Sequence, residues 1–154
     1  MWTIPFPSCA HHVDSTTLPS CDTLPEYDTP KCDKTCEYGN VDYSKDKYHA
    51  KKSYSLKSVT DIQRDLVKFG SVSVSFTVYD DFPTYSSGVY QHTPKSKSLG
   101  GHAVRLIGYG IEDNVPYWLC ANSWNDSWGL EGTFKILRGS DECGIESGAV
   151  AVEV

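Results

Sequence analysis

An α+β fold, mainly β, is predicted by three features of these 154 residues. Residues 72–78 alternate apolar and small polar side chains with a period of two, the mark of a strand with one buried face. Four further short runs, 103–109, 116–121, 133–137 and 149–154, are apolar or β-branched and are separated by turn-forming stretches. Only one segment, 59–69, carries helical spacing. Short strands with frequent turns predict an antiparallel barrel or sandwich with one helix packed on it.

In chain order, residues 1–45 come first and read as a long ordered loop. They hold Pro5, Pro7, Pro19, Pro25 and Pro30, and four cysteines, Cys9, Cys21, Cys32 and Cys36, with little periodicity. Loops of this length in compact proteins are usually functional or disordered. The basic run 45–52 is diluted by Asp46, Tyr48, His49 and Ala50 and reads as a solvated face. Thr60 followed by Gln63 is a capping-box pattern. Val59, Ile62, Leu66 and Phe69 share one helix face, and Gly70 suits the position just past the C-terminus. Val72, Val74, Phe76 and Val78 then form the buried face of the first predicted strand. Gly100-Gly101, Glu112-Asp113-Asn114 and Arg138-Gly139-Ser140 mark turns between the later ones.

Bulk properties narrow the function classes. The length fits about one domain, and the chain can bury its own core. A net charge of -6 argues against nucleic acid, which demands clustered Lys and Arg. No stretch approaches the ~20 apolar residues of a membrane helix. Residues 1–7 lack the basic start of a secretory signal and are broken by prolines, so the chain is expected to begin inside a domain or to be cytosolic as written. The cysteines oppose the cytosolic option. The polar loop around Cys9, Cys21, Cys32 and Cys36 has little to bury, and a crosslink would hold it, which implies an oxidising compartment. Cys120 and Cys143 read as free thiols.

Two local patterns point to chemistry. In Gly100-Gly101-His102-Ala103-Val104, a histidine follows two glycines at the start of an apolar strand. It is rigidly held with backbone room in front of it, which suits a general base; such a histidine can equally be structural. In Trp118-Leu119-Cys120-Ala121-Asn122-Ser123-Trp124, running on to Trp128-Gly129, Asn122 closes a strand. An amide there can accept from an imidazole N–H and fix its tautomer, the orienting role in a Cys-His-Asn site. The tryptophans can be core, or can cover the His–Asn pair and exclude water.

Gly100-Gly101-His102-Ala103, Asn122-Ser123-Trp124, Trp128-Gly129 and Cys143-Gly144-Ile145, in that order, resemble the C-terminal half of papain-family cysteine proteases. Cys9-Ala10-His11-His12-Val13 closing at Cys21 resembles the occluding loop of the cathepsin B branch. Residues 85–92 and 134–139 are also similar to that branch, and the match runs over nearly all 154 residues. The resemblance implies one domain over 1–154: a papain-like right-hand antiparallel β-barrel with an occluding-loop region at 9–21, the N-terminal helical domain being absent. It implies that His102 is the catalytic base and Asn122 its orienter. Trp124 would shield their hydrogen bond and line the primed side, and Gly101 and Ala103 would contact substrate. His11 and His12 would capture a substrate C-terminal carboxylate, although by themselves two loop histidines read as solvated. Cys9 would pair with Cys21, and Cys32 and Cys36 with cysteines nearer the N-terminus that this chain does not hold.

The implied reaction is covalent peptide hydrolysis through a thiolate–imidazolium pair, both endopeptidase and removal of C-terminal dipeptides. The partners implied are a peptide or protein substrate, cystatin-like inhibitors and the missing N-terminal protease half. The setting implied is a lysosome-like acidic compartment or secretion. No metal and no organic cofactor are expected. The family nucleophile lies in a C-G-S/A-C-W/Y motif some 130–150 residues before the histidine, and none of the six cysteines carries it. This chain alone is therefore expected to be inactive. Three departures bear on specificity. Gly148 stands where the cathepsin B pattern often has an acid at the floor of a substrate pocket. Leu18 and Ser127 stand where an ion pair would anchor the occluding loop. Asn125-Asp126-Ser127 forms a glycosylation sequon at the expected rim. Two other readings compete: a catalytically dead peptide- or inhibitor-binding fragment, and a zinc module using Cys9, Cys21, Cys32 and Cys36 with His11 and His12.

Overall fold

A computed structural model describes residues 7–28, 31, 34–36 and 39–153. The chain divides into two units, Met1–Ala50 and Lys51–Val154. Residues 1–6, part of the expected opening loop, and Cys32 lie outside the described residues.

The first unit is the loop region that its prolines and cysteines predict. None of its described residues is buried, and the one regular element among them is a 3₁₀ turn at Cys21–Thr23. A disulfide joins Cys9 to Cys21, as the resemblance implied. Beside it Ala10 N donates to Pro19 O at 2.8 Å and Ala10 bridges Ser20. With no core to hold this segment, closing so short a loop contributes about 3 kcal/mol by restricting the unfolded chain.

The second unit holds helix α1 (Val59–Phe69) and seven strands: β1 (Lys52–Ser55), β2 (Val72–Tyr79), β3 (Val89–Tyr90), β4 (Ser98–Glu112), β5 (Val115–Ala121), β6 (Thr133–Leu137) and β7 (Val150–Glu153). They form one sheet in the order β1-β7-β2-β4-β5-β6-β3, antiparallel except where β3 runs parallel to β6. One helix with a mainly antiparallel sheet is the α+β, mainly β class that the sequence predicts. The alternation in β2 is realised: Val72, Val74, Phe76 and Val78 are buried, and Ser71, Ser73 and Ser75 are exposed.

Several details differ from the sequence expectation. The cap of α1 is Ser58, not Thr60. Ser58 sits in an extended conformation and its Oγ accepts from Asp61 N at 3.1 Å. Thr60 is already helical, so its capping-box partner never forms. Phe69 lies on the expected face but is 52% exposed, while Asp65 is buried and accepts from Tyr54 Oη at 2.7 Å. β1 and β3 have no sequence signature. β1 is short and carries three exposed positions, and β3 has only two residues, so neither shows a period. Gly100 and Gly101 do not turn. They lie within β4 opposite Val78 and Thr77, which extends that strand well before the predicted start.

The core is aromatic. Phe82 is fully buried and makes ring contacts with Phe76, Tyr85, Tyr90, Trp124, Trp128 and Phe134 at centroid distances of 4.9–6.4 Å. Trp128 Nε1 donates to Pro83 O at 2.8 Å, so its one polar atom is satisfied within this cluster.

Candidate active site

His102 and Asn122 meet because of register. Arg105 pairs with Ala121 at the end of β5. One step further puts Asn122 level with Val104, and the period of two places His102 on the same face as Val104. The imidazole Nε2 lies 2.8 Å from Asn122 Oδ1. An amide oxygen only accepts, so Nε2 carries the proton and Nδ1 keeps the lone pair. Nδ1 has no hydrogen-bond partner among the described residues. Asn122 is itself fixed: its N–H donates to Gly132 O at 2.9 Å, and its Oδ1 also accepts from Ser123 N at 2.8 Å.

Two rings hold the imidazole. Trp124 stacks on it at 5.5 Å with planes 24° apart, and Phe76, its β2 partner, approaches edge-on at 5.9 Å. Trp124 rests in turn on Trp128 and Phe82. The residues alone left the roles of the two tryptophans open: Trp128 is core, and Trp124 stacks on the histidine, the position that the resemblance implied for it. On the other side the space is open. A Cβ added at Gly100 or Gly101 would meet nothing within 4 Å. Gly101 and Ala103 are exposed on either side of His102. A groove of about 540 Å³ runs beside Asn122, with Ala103, Arg105, Ser73 and Val152 among its lining residues.

The remaining candidates are placed as follows. Gly148 lies against β2, where a Cβ would come within 2.3 Å of Ser75 Oγ. Sequence reasoning did not single out Ser75 as the neighbour of Gly148, and only the packing of two distant segments reveals it. His11 and His12 belong to the first unit, with ring centroids 4.1 Å apart in an edge-on pair. Burial and the neighbouring His11 hold the His12 pKa below its ordinary value, against an opposing pull from Asp22. Asn125 Oδ1 accepts from Ser127 N at 2.8 Å, a local turn across the sequon.

Neither Cys120 nor Cys143 is an activated nucleophile by its surroundings. Cys120 is fully buried, and burial pushes its pKa up. Burial and then Glu142 do the same to Cys143. The nucleophile is the thiolate, which both environments disfavour. Cys36 is also free. The zinc module read at residues 9–36 fails on its ligands, because Cys9 and Cys21 are joined to each other. A different group does come together: His92 Nδ1, Glu142 Oε1 and Cys143 Sγ lie within 4.8 Å of one another. Fifty residues separate His92 from Glu142 and its neighbour Cys143, so spacing gave no sign of it.

A histidine with an open Nδ1, its other nitrogen bound to an asparagine and its face covered by tryptophan, has the geometry that base-assisted nucleophilic chemistry requires. The chain belongs to the papain family of cysteine proteases, whose pattern matches residues 9–153. It is 50% identical over 149 residues to cathepsin B-like cysteine proteinase 6 of Caenorhabditis elegans, covering 95% of this chain and 39% of that protein. It is 47% identical over 149 residues to a cathepsin B-like cysteine proteinase of Schistosoma japonicum, covering 96% and 43%. The structure of proCathepsin B S9 from Trypanosoma congolense superposes with a TM-score of 0.74 at 36% identity, over 86% of this chain and 47% of that one. The chain thus spans about two fifths of the length of the curated relatives it matches. Among the described residues no helix is long and apolar enough to cross a membrane.

Proposed function

We propose that this chain supplies the base and its orienter to a cysteine peptidase site of cathepsin B type. The 2.8 Å bond from His102 Nε2 to Asn122 Oδ1 carries the reading. It leaves Nδ1 to take a thiol proton, giving a thiolate–imidazolium pair. The thiolate attacks the peptide carbonyl, and the carbon–nitrogen bond breaks as Nδ1–H protonates the leaving amine. His102 then takes a proton from the water that hydrolyses the thioester. Asn122 holds the ring so that one nitrogen faces the reaction throughout, and Trp124 keeps water from their hydrogen bond. Gly101 and Ala103 leave the backbone open to an extended substrate.

His11 and His12 are the proposed acceptors of a substrate C-terminal carboxylate, which would give removal of C-terminal dipeptides beside internal cleavage. With its pKa lowered, His12 favours the neutral imidazole as a hydrogen-bond donor over a full charge. Gly148, facing Ser75 and lacking a carboxylate, favours larger apolar side chains over arginine in the neighbouring substrate pocket. The Cys9–Cys21 disulfide fits a secreted or lysosome-like setting.

The thiol itself has no counterpart in these 154 residues, since no cysteine stands in the family's motif. The test uses an epoxysuccinyl thiol probe and a fluorogenic dipeptide substrate. Residues 1–154 alone should neither label nor cleave. Fused to the N-terminal portion of a papain-family relative that bears the motif, they should do both, and His102→Ala should lower cleavage by about 10²–10⁴-fold. Labelling of the isolated chain overturns the first part. A folded fusion that cleaves equally well without His102 overturns the second and favours a peptide- or inhibitor-binding fragment.

A further inference from the structure

His92, Glu142 and Cys143 take no part in the proposed peptidase chemistry, yet their polar atoms converge. His92 Nδ1 lies 2.6 Å from Glu142 Oε1, Cys143 Sγ lies 3.3 Å from the same oxygen, and Sγ lies 3.8 Å from Nδ1. We propose that these three side chains form a binding site for a thiophilic divalent cation of the zinc class, ligated by Nδ1, Oε1 and Sγ with a fourth position open to water.

The donor set is the first argument. Imidazole nitrogen, carboxylate oxygen and thiolate sulfur are the three ligand types zinc takes in proteins. Spacing is the second. At ordinary zinc–ligand lengths, a tetrahedral site needs nitrogen–oxygen separations of about 3.3 Å and separations to sulfur of about 3.5 Å. The two sulfur distances fall on either side of that value. Only the His92–Glu142 contact must open, by about 0.7 Å on those lengths. That motion lies within the reach of a carboxylate rotation.

The site is also held in place. The Tyr79 ring stacks on His92 at 4.4 Å with planes 14° apart, and His92 N donates to Glu142 Oε1 at 3.0 Å. Cys143 and Asp141, neither of them glycine, adopt φ of 54° and 52° around the 3₁₀ turn Glu142–Gly144. Such conformations are strained for a residue with a Cβ and persist only where the surroundings enforce them. Here the surroundings are visible: Asp141 Oδ1 accepts from Glu146 N at 2.8 Å and Ser147 N at 2.9 Å, and Glu146 Oε2 accepts from Asp141 N at 3.0 Å. This frame aims the Cys143 sulfur at Glu142 and His92.

An imidazole N–H, a backbone N–H and a thiol all point at the single oxygen Oε1, and a cation can replace two of those hydrogens. On binding, the Cys143 thiol proton leaves to solvent, a sulfur–metal bond forms, and the imidazole proton moves to Nε2. No redox partner is needed. The ion would tie the segment after β3 to the turn before β7.

Cobalt(II) titration of the metal-free full chain, with its disulfide intact, tests this without any catalytic readout. A thiolate-to-cobalt charge-transfer band should rise to about one equivalent and be erased by zinc, with release of a proton. Cys143→Ser should remove the band. His92→Gln and Glu142→Gln should each weaken binding by more than about tenfold, the loss seen even for outer-shell partners. Cys36→Ser should leave the band intact. Absence of the band in the parent chain overturns the proposal, as does a band that survives Cys143→Ser. Circular dichroism without metal identifies any variant that has failed to fold, and the two glutamine variants then decide. The result is independent of the peptidase reading, which turns on His102.

Discussion

In the first unit no described residue is buried, and a disulfide takes the place of a core. In the second, an aromatic cluster around a fully buried Phe82 supports the sheet that carries His102 and Asn122. The two regions bear different parts of the proposed chemistry and are held by different forces. Functional groups that must keep sub-ångström geometry sit on strands, where neighbours fix every dihedral. Groups that need only offer hydrogen bonds to a chain end can sit on a crosslinked loop.

The largest expected effect separates the two roles. In a cleavage-competent fusion, His102→Ala should lower kcat on every substrate by about 10²–10⁴-fold. Replacing His11 and His12 together by alanine should lower only the removal of C-terminal dipeptides, leaving internal cleavage intact. Equal losses on both substrate types would erase the distinction between the units. Next comes stability. Phe82→Ala removes the ring that the whole cluster touches and should cost about 3–5 kcal/mol, read as a shift of the second unit's denaturant midpoint. A smaller effect belongs to the first unit. Cys9→Ser with Cys21→Ser should cost about 3 kcal/mol of order in that loop, seen as faster proteolysis within residues 9–21, with the second unit's midpoint unmoved.

The smallest effects are those of pH, and they should appear in different windows. His12 has a folded pKa below its unfolded value of about 6.5, because burial and His11 disfavour the charged ring. Its contribution is therefore present above that value and lost as pH falls through the folded one. Asp81 follows the same sign lower down. Burial works to raise its pKa, but the Thr93 amide and the Tyr90 hydroxyl outweigh it and hold it down. Its contribution is present above about pH 3.9 and lost as pH falls further. His12 is exposed and Asp81 only half-buried, so screening keeps the slopes shallow. Stability against pH should fall less steeply on the acid side in Asp81→Asn and near neutrality in His12→Gln.

Regular periodicity made β2 legible, since four alternating apolar residues leave little choice of face. The true cap of α1 was harder. Ser58 and Thr60 are both good caps, and the winner depends on which backbone is extended where the chain leaves β1. β3 is two residues long and pairs in parallel with β6, so it exists only through its partner. Gly100 and Gly101 looked like a turn because glycine usually is one. Within β4 they instead leave the approach to His102 open.

The sequence by itself determined the papain-like class, the strand and helix that carry strong periods, and the two residues proposed as base and orienter. It could do so because those features rest on local patterning and on motifs a few residues long. Tertiary structure alone decided which imidazole nitrogen faces Asn122, that Trp128 packs into the core against Phe82, that Ser75 lies under Gly148, and that His92 meets Glu142 and Cys143. Each of these depends on strand register or on packing between segments tens of residues apart, and nothing local encodes a distance of that kind.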